Sequence, residues 1–451
     1  MYRFQGLDSL MTSKGITDSG TFDAYLKEVL SKRESQGANL TGFVFDTPQL
    51  DFSFKVLQAE AKIDVMASYV DLNSPAVPSG HKVEMTSIEG SVPRMKYAVV
   101  QGENDYRKQL IALNEVQSVA KFNNTSETVA VKNFLSRRLF FNIDEIVTSF
   151  KESLNYQVGQ MTSTGALTID DKSNPRGSIR TTFKAQVPEA NFITKKWFTK
   201  AADGTLTPVA DSDPVTDLRD FNRELRWKAN GYQNITVQMS ERFIYKLLSH
   251  PAVLKAVGYA STGLGLRYTK ANDDNAVAVA RGMALEAQKE VFKRLIECDE
   301  LITSKTLCGV EKLNTTSRKY ERTLMDAFAD ETIVVRPQGN IGVIKNVVPL
   351  RPDGQAIVGS IFGGKGIIEY MYNRDTREQR WQGEMTALAV LTRPQDMYYF
   401  NGVEGEATYT AVTNPTGNPS TQGWYEKNSN GEYVLSTDTT VDSDKTYYTK
   451  S

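Results

Sequence analysis

The fold is decided by residues 124–157, which read NTSETVAVKNFLSRRLFFNIDEIVTSFKESLNYQ. Apolar residues recur there at steps of three and four, which places them on one face of an α-helix. They are Val131, Phe134, Leu135, Leu139, Ile143, Ile146, Val147, Phe150 and Leu154. Asn124 is predicted to cap the first turn with Glu127 as its capping-box partner, and Gly159 and Gly165 are predicted stop signals. A helix of this length is about 50 Å long and needs an equally long surface to lie on.

That surface is predicted to be a β-sheet that includes residues 178–188. Apolar and polar residues alternate there, as expected of a strand with one face toward the helix and one toward water. The apolar-facing set is Ile179, Thr181, Phe183, Ala185 and Val187, and the polar set is Arg180, Thr182, Lys184 and Gln186. Together the two segments predict a helix laid across a sheet. An ordinary α+β core is the alternative interpretation.

Composition excludes several classes of protein. The chain has 451 residues, enough for two or three domains, and 53 basic against 54 acidic side chains. Such a balance produces no global field toward nucleic acid or membrane. No apolar run approaches a membrane span, and the first ten residues lack a signal-peptide core. Cys298 and Cys308 are predicted to be reduced, and with no histidine nearby they do not suggest a metal site.

The segment 73–111 carries an unusual density of charge. Two strand-like runs, Gly80–Met85 and Arg94–Val100, predict a hairpin with Gly90 and Pro93 between them. Its charged residues are Lys82, Glu84, Glu89, Arg94, Lys96, Glu103, Arg107 and Lys108. A hairpin with so little apolar surface is not stable alone. It is either a solvated loop or is ordered by another chain.

A second domain is predicted to begin at Asp213-Pro214, where an aspartate cap and a first-turn proline open a helix that ends at Gly231. A short strand at 235–239 follows. Ser240 then caps a helix that stops at His250-Pro251, and a long helix is predicted at 276–296. Further strands are predicted at 332–335, 341–348, 366–373, 384–391 and 397–403.

Both ends of the chain differ from this pattern. Residues 1–46 are polar and predict an arm, with one weak helical patch at Phe22–Lys32. Residues 404–451 are acidic and predict short strands near 422–426, 430–435 and 445–449, with Asn430-Gly431 as a hairpin turn. This last segment is predicted to decorate an outer surface or to clasp a neighbouring subunit.

Catalytic signals are weak. Gly359–Lys365 matches the first part of a phosphate-binding loop, but Gly366 stands where a Ser or Thr should hold Mg²⁺. A flexible glycine loop between strands is the preferred interpretation. His250 precedes a proline at a helix end, where a histidine more often satisfies terminal carbonyl groups than catalyses.

The order of these elements resembles the major capsid protein of tailed bacteriophages, the Hong Kong 97-type fold, in its lambda-like branch. The resemblance rests on the arm, the charged hairpin, the long helix, the Asp-Pro helix, the strand end Val237–Ser240 and the helix end Leu247–Pro251. It covers roughly residues 40–403, and the order of the elements carries it, since none of the motifs is highly specific by itself.

The resemblance implies a domain organisation. It consists of an arm (1–46), an extended loop with flanking strands (47–115), a peripheral domain with a spine helix (116–212), an axial domain (213–363), return strands of the peripheral domain (364–403) and an appended β motif (404–451). The extended loop is expected to reach over a neighbouring subunit. Inter-subunit contacts are expected from Lys82, Glu84, Arg94, Lys96, Arg107, Lys108, Arg137 and Arg138.

The implied function is that of a structural protein which self-assembles, as hexamers and pentamers, into the icosahedral shell of a phage. The expected partners are portal, scaffold and decoration proteins and packaged double-stranded DNA held without sequence-specific contact. No cofactor, membrane or enzymatic activity is expected, and the virion capsid would be assembled in the bacterial cytoplasm. An encapsulin-like cargo shell is the alternative, and an enzyme using the Gly359–Gly366 loop is a remote one.

Overall fold

The computed structural model describes residues 40–58, 86–201, 203–227, 234–262, 270–304, 307–314, 320–350, 357–373, 377–405, 409–411, 425–427, 433–435, 440–442, 445 and 447–450. The helices in these ranges are α1 Glu103–Phe122, α2 Glu127–Thr164, α3 Pro214–Trp227, α4 Glu241–Leu248, α5 Pro251–Thr262, α6 Lys270–Gly282 and α7 Leu285–Leu295. The strands are β1 Phe43–Phe45, β2 Ser53–Gln58, β3 Thr86–Ser91, β4 Arg94–Gln101, β5 Ala166–Ile169, β6 Thr181–Lys184, β7 Phe192–Lys200, β8 Leu206–Pro208, β9 Ile235–Ser240, β10 Glu300–Ser304, β11 Leu307–Leu313, β12 Tyr320–Asp326, β13 Thr332–Pro337, β14 Gly342–Val347, β15 Ile357–Ile361, β16 Gly366–Asn373, β17 Glu378–Leu391, β18 Tyr398–Gly405, β19 Tyr409–Ala411, β20 Tyr425–Lys427, β21 Tyr433–Leu435 and β22 Tyr448–Lys450.

The first hydrophobic core lies between α2 and a six-stranded sheet. The sheet runs in the order β1-β14-β17-β16-β15, and β4 also pairs with β17. The predicted helical stripe is confirmed: Val131, Leu135, Ile143, Ile146, Val147, Phe150 and Leu154 are buried, Phe134 is half-buried, and the Leu139 side chain lies outside the described part. A Cβ added to Gly383 would stand 2.4 Å from Cγ2 of Ile146, so the helix lies directly on the β17 backbone.

The prediction that residues 178–188 supply this sheet is wrong. Only Thr181–Lys184 forms a strand, and it pairs with β5 in a separate two-stranded sheet. The Tyr156 hydroxyl donates to the Thr168 carbonyl at 3.0 Å and holds this small sheet on the helix. Alternation correctly identified a half-buried strand, but it carries no information about which strand is its neighbour.

Two of the predicted helix boundaries are also wrong. The helix α2 begins at Glu127 after Ser126, whereas Asn124 adopts a left-handed conformation (φ 52°) and ends α1, a role that asparagine tolerates. Gly159 lies inside α2 rather than at its end. Gly165 ends the helix in a left-handed conformation (φ 67°), as predicted.

The second core is built on another six-stranded sheet, in the order β10-β9-β13-β18-β7-β8. Helices α3, α4, α5 and α7 contribute buried side chains to it, among them Leu218, Leu247, Val253 and Phe292. The predicted caps are confirmed: Asp213 Oδ1 accepts the backbone N–H groups of Val215 (3.1 Å) and Thr216 (3.2 Å). Likewise, Ser240 Oγ accepts the Phe243 N–H at 3.0 Å.

The long helix predicted at 276–296 is two helices. The first ends at Gly282, and the second begins at Leu285. The Gln288 side-chain amide donates to the carbonyl groups of Ala280 (2.8 Å) and Met283 (3.1 Å), so the break is satisfied by hydrogen bonds. The preceding α3 ends at Trp227, and the predicted stop at Gly231 lies outside the described residues.

Of the charged hairpin predicted at 73–111, the structure describes only the part from residue 86 onward. Its second arm is the strand β4, but β4 pairs antiparallel with Gln379–Thr386 of β17 in the first sheet. Within the predicted extended loop, β2 pairs antiparallel with β3. The predicted first arm, Gly80–Met85, lies outside the described residues. Residues beyond Gly102 form α1, which the sequence did not predict.

The predicted domain limits do not coincide with the two cores. The strands β14 and β15 fall inside the predicted axial range but belong to the first sheet, while β7 and β8 fall inside the predicted peripheral range but belong to the second. The C-terminal strands β19 to β22 form a separate four-stranded sheet. Within it β20 and β21 pair antiparallel around the predicted Asn430-Gly431 turn, which itself lies outside the described residues.

Candidate inter-subunit surface

Only half of the charged residues expected to contact a neighbour can be placed. Lys82 and Glu84 lie outside the described residues. Arg137 and Arg138 are in α2, but their side chains also lie outside the description. The remaining four are Arg94, Lys96, Arg107 and Lys108, and each has an acidic partner in its own chain.

Arg94 and Lys96 both contact Glu384 on the sheet face that points away from α2. Arg94 Nε donates to Glu384 Oε1 at 2.5 Å, and Lys96 Nζ lies 3.3 Å from Oε2. Glu384 is buried whereas both cations are half-exposed, so the arrangement fixes β4 on β17. Glu369 stands on the same face, and burial, with the nearby Glu384 carboxylate as a second cause, raises its pKa above the ordinary value.

Arg107 and Lys108 take part in exposed ion pairs on the first turns of α1. Glu103 accepts from Arg107 Nη2 at 2.6 Å and from Arg377 Nη1 at 2.7 Å, and these two cations lower its pKa. Lys108 Nζ lies 3.9 Å from Asp105. Exposed pairs of this kind contribute little to stability. The expectation that they reach a neighbour stays a prediction.

A charged network that the sequence did not reveal joins α2 to the β11–β12 hairpin. Glu145 Oε1 accepts from the Tyr97 hydroxyl at 2.9 Å and from Arg322 Nη2 at 3.1 Å. Arg322 also approaches Glu311, which in turn contacts Arg176. Burial and the hydrogen bond to Glu145 raise the pKa of Tyr97 to about 12. These residues are far apart in sequence, so no local motif could have found them.

Large apolar side chains are exposed on several separate elements. Phe122 at the end of α1 is 91% exposed, and Trp227 at the end of α3 is 82% exposed. Leu324 on β12 is 72% exposed, and Leu50 and Leu350 near β1 and β14 are 79% and 81% exposed. Single exposed apolar residues are ordinary, but clusters around them mark sites of association.

The polar pair Ser212–His250 is not arranged for catalysis. The Ser212 Oγ lies 3.1 Å from His250 Nε2, while His250 Nδ1 accepts the Ala252 N–H at 3.2 Å. The proton of the neutral ring is therefore on Nε2, which cannot act as a base toward serine. Burial lowers the pKa of His250 below the ordinary 6.5. The prediction was that its ring satisfies carbonyl groups at the end of α4, whereas in the structure the ring contacts Ser212 and the first turn of α5.

The glycine segment at 359–366 consists of the end of β15, a hairpin turn at residues 362–365 and the first residue of β16. The strands β15 and β16 pair antiparallel on either side of the turn. A phosphate-binding loop needs a helix at this point, because the helix N-terminus supplies the phosphate-binding N–H groups. Lys365 Nζ donates to the Phe362 carbonyl of the same turn at 3.2 Å and lies 4.9 Å from the ring centroid of Phe45 on β1, so it already has partners in its own chain.

Cys298 and Cys308 are buried as free thiols, and burial raises the pKa of Cys298 to about 12 and raises that of Cys308 as well. Across the described ranges no group of three or more His, Cys, Asp and Glu side chains is placed to hold a metal ion. None of the helices in those ranges is long and apolar enough to cross a membrane.

No protein-family model matches this chain, and no curated protein matches it in sequence. Among solved structures, a putative capsid protein of a prophage of E. coli CFT073 is similar at 11% identity, over 83% of this chain and 96% of that one, with a TM-score of 0.38. The satellite phage P4 procapsid including the size determination protein Sid is similar at 8% identity, over 84% and 90%, with a TM-score of 0.42. A virus-like particle from Pyrococcus furiosus is similar at 8% identity, over 83% and 97%, with a TM-score of 0.33. The similarity is distant in each case.

Proposed function

We propose that this chain is the major capsid protein of a tailed bacteriophage, and that its copies assemble into a closed icosahedral shell around double-stranded DNA. The observation that carries the proposal is a 38-residue helix laid on one sheet, with a second core built on its own sheet. Exposed large apolar side chains on elements of both cores agree with it. Phe122, Leu324 and Leu350 belong to elements of the first core or to the hairpin on it, and Trp227 belongs to the second. A subunit that meets several neighbours at once needs association sites on several elements.

The arrangement of elements supports the same proposal. A 38-residue helix lies on a sheet, a second core stands on its own sheet, and the β2–β3 ladder pairs with no other described strand. A two-stranded ladder of this kind is marginal alone and gains order from another surface. We propose that these elements correspond to the spine helix, peripheral sheet, axial domain and extended loop that the sequence resemblance implies.

We propose that the partners are other copies of the chain, in hexamers and pentamers, together with portal, scaffold and decoration proteins. With a net charge of −1, the subunit has no overall attraction for phosphate, which suits a shell that encloses DNA without binding each phosphate tightly. Assembly is proposed to take place in the bacterial cytoplasm, and the product to be the virion capsid. The proposal includes no catalytic role, since the two arrangements that suggested chemistry lack the geometry for it.

The test is to purify the full chain and follow its mass and shape with rising concentration, by light scattering and negative-stain microscopy. Closed shells or capsomers are expected. A monomer at every concentration would overturn the proposal. Particles isolated from the native host decide between the two shell functions, since nuclease-protected DNA is expected of a phage head and enclosed enzymes of an encapsulin-like shell.

A variant series makes the test specific. Trp227→Ser and Leu324→Ser each replace an exposed apolar side chain, so each is expected to weaken assembly without lowering the free energy of unfolding of the subunit. Ser118→Ala, on the exposed face of α1, is the matched control and is expected to assemble normally.

A further inference from the structure

An apolar patch lies at the β1 edge of the first sheet. Gln49 pairs in parallel with Val347, and the Val348 N–H donates to the Gln49 carbonyl at 2.8 Å. Four exposed apolar residues flank this bridge and are here called the edge patch. They are Leu50, Phe52, Val348 and Leu350. The bridge brings the short segments 49–52 and 347–350 together at the surface, and the chain bends at residues 50–52 directly after it.

The acidic groups around the edge patch already have partners. Asp46 contacts Lys345 Nζ, and hydrogen bonding to this lysine lowers the Asp46 pKa. Asp51 Oδ1 accepts the Ser53 N–H at 3.1 Å. The Asp46 carboxylate is therefore already paired with a cation, whereas the Asp51 carboxylate is held by a hydrogen bond from Ser53. An apolar partner gains by covering the leucines, because apolar surface is then removed from water.

The chain that precedes the described residues joins β1 at its N-terminal end, on the same edge of the sheet as the edge patch but at the other end of the strand. The description begins at Leu40, whose carbonyl accepts the Phe43 N–H at 2.7 Å and whose side chain packs against the first core. Thirty-nine residues precede it. Among them Phe22, Tyr25, Leu26, Val29 and Leu30 recur at steps of three and four. This spacing predicts one apolar stripe on a short helix, with Asp23, Lys27, Glu28 and Lys32 off the stripe.

We propose that the apolar stripe of residues 22–30 docks on the edge patch of its own chain. Residues 31–39 can span up to about 30 Å when extended, enough to bring the stripe back along β1. A helix over residues 22–30 is about 13 Å long and presents its apolar residues on one face. Docked there, it also covers the outer edge of β1, which otherwise offers unpaired backbone groups to foreign strands.

Disulfide trapping in the full-length chain tests this proposal. The two native cysteines are buried, so engineered surface cysteines can be oxidised selectively. Leu26→Cys combined with Leu350→Cys is expected to form an intrachain disulfide, seen as a monomer of altered mobility on a non-reducing gel.

Two further pairs are controls. Lys27→Cys with Leu350→Cys places the cysteine off the apolar stripe. Leu26→Cys with Phe122→Cys probes another exposed apolar residue. Both control pairs should react about tenfold more slowly, because docking raises the effective concentration only at the matched pair.

Three results would overturn the proposal. Equal rates for all three pairs would show that the segment docks at no fixed place. A disulfide-linked dimer instead of an intrachain bond would assign the edge patch to a second copy. Equal labelling of Leu350→Cys by a bulky maleimide in the full chain and in a chain lacking residues 1–32 would show that the segment does not cover the patch. The experiment needs only the subunit, so its outcome is separate from that of the shell assay.

Discussion

The side-chain amide of Gln157 forms hydrogen bonds with the backbone at Ala387 and Ala389 in the way that a neighbouring β-strand would. Its Oε1 accepts the Ala389 N–H at 3.0 Å, and its Nε2 donates to the Ala387 carbonyl at 3.3 Å. The pairing of β4 with β17 ends at Thr386, so the helix α2 satisfies the next backbone groups of β17 that β4 does not reach. The contact is buried, which excludes water as a substitute partner.

Replacing Gln157 by leucine is expected to lower the free energy of unfolding by about 2–4 kcal/mol, because a buried N–H and a buried carbonyl lose their partners. Chemical denaturation of the dissociated subunit, followed through the buried Trp381, measures this. Gln160→Leu removes one hydrogen bond, to the Ala327 carbonyl, from the same helix and should cost less. Equal losses for the two variants would contradict the strand-like role.

Gly159 should not tolerate alanine, although alanine is favoured over glycine in an ordinary helix by about 1 kcal/mol. A Cβ at this position would stand 2.5 Å from the Ala327 carbonyl oxygen, so the helix or the neighbouring segment must shift. Gly159→Ala is expected to lower the free energy of unfolding by about 1–3 kcal/mol. Gly282→Ala is the control, since its Cβ would meet open space, and it should be neutral or stabilising. A stabilised Gly159→Ala variant would contradict the close approach.

The second core should lose stability as the pH falls below about 6.5. His250 has a lowered pKa in the folded chain, so below the ordinary value of 6.5 the unfolded chain binds a proton that the folded chain does not. Because the unfolded chain takes up this one extra proton, the free energy of unfolding falls by up to about 1.4 kcal/mol for each pH unit below 6.5. The fall stops when the pH reaches the pKa of His250 in the folded chain. Above that window both states are neutral and the effect vanishes.

Unfolding curves between pH 7 and about pH 5 test this titration. His250→Asn is expected to flatten the profile, because asparagine can accept the Ala252 N–H but cannot be protonated. His81→Asn is the control, since the chain has only two histidines. If the slope followed His81 instead, the assignment to His250 would be wrong.

Arg94 and Lys96 provide a test of the inter-subunit contacts expected from the sequence. Changing both to methionine leaves the buried Glu384 without its cations, and this is expected to lower the free energy of unfolding of the isolated subunit by about 1–3 kcal/mol. Lys108→Met removes an exposed pair and should change it by less than about 0.5 kcal/mol. Normal subunit stability with failed assembly would show instead that Arg94 and Lys96 act between subunits.

Local patterns were readable from the sequence. The stripe on α2, the caps at Asp213 and Ser240 and the strand 366–373 depend on residues a few positions apart, and the structure confirms each of them. The helix α1 was missed because its buried side includes Gln109, with only Tyr106, Leu113 and Ala120 as apolar residues there. So sparse a stripe gives little periodic signal.

Long-range pairing was not readable. Arg94 and Glu384 are 290 residues apart in sequence, and Arg322 and Glu145 are 177 apart. Alternation shows that Arg94–Val100 is a strand, but nothing in it selects β17 over the nearer run at 80–85. This limit affects the predicted inter-subunit contacts most. Arg94 and Lys96 were expected to pair with another subunit, because the sequence does not show that the fold places Glu384 beside them.

The strand β17 pairs with β4, β14 and β16, and this has a consequence for biosynthesis. As the chain leaves the ribosome, β4 emerges long before residues 379–386 have been translated. The first core therefore cannot close until most of the polypeptide exists, and truncated nascent chains lack its finished sheet. A chain interrupted before residue 379 would therefore keep the strands on both sides of β17 but lack the strand that joins them.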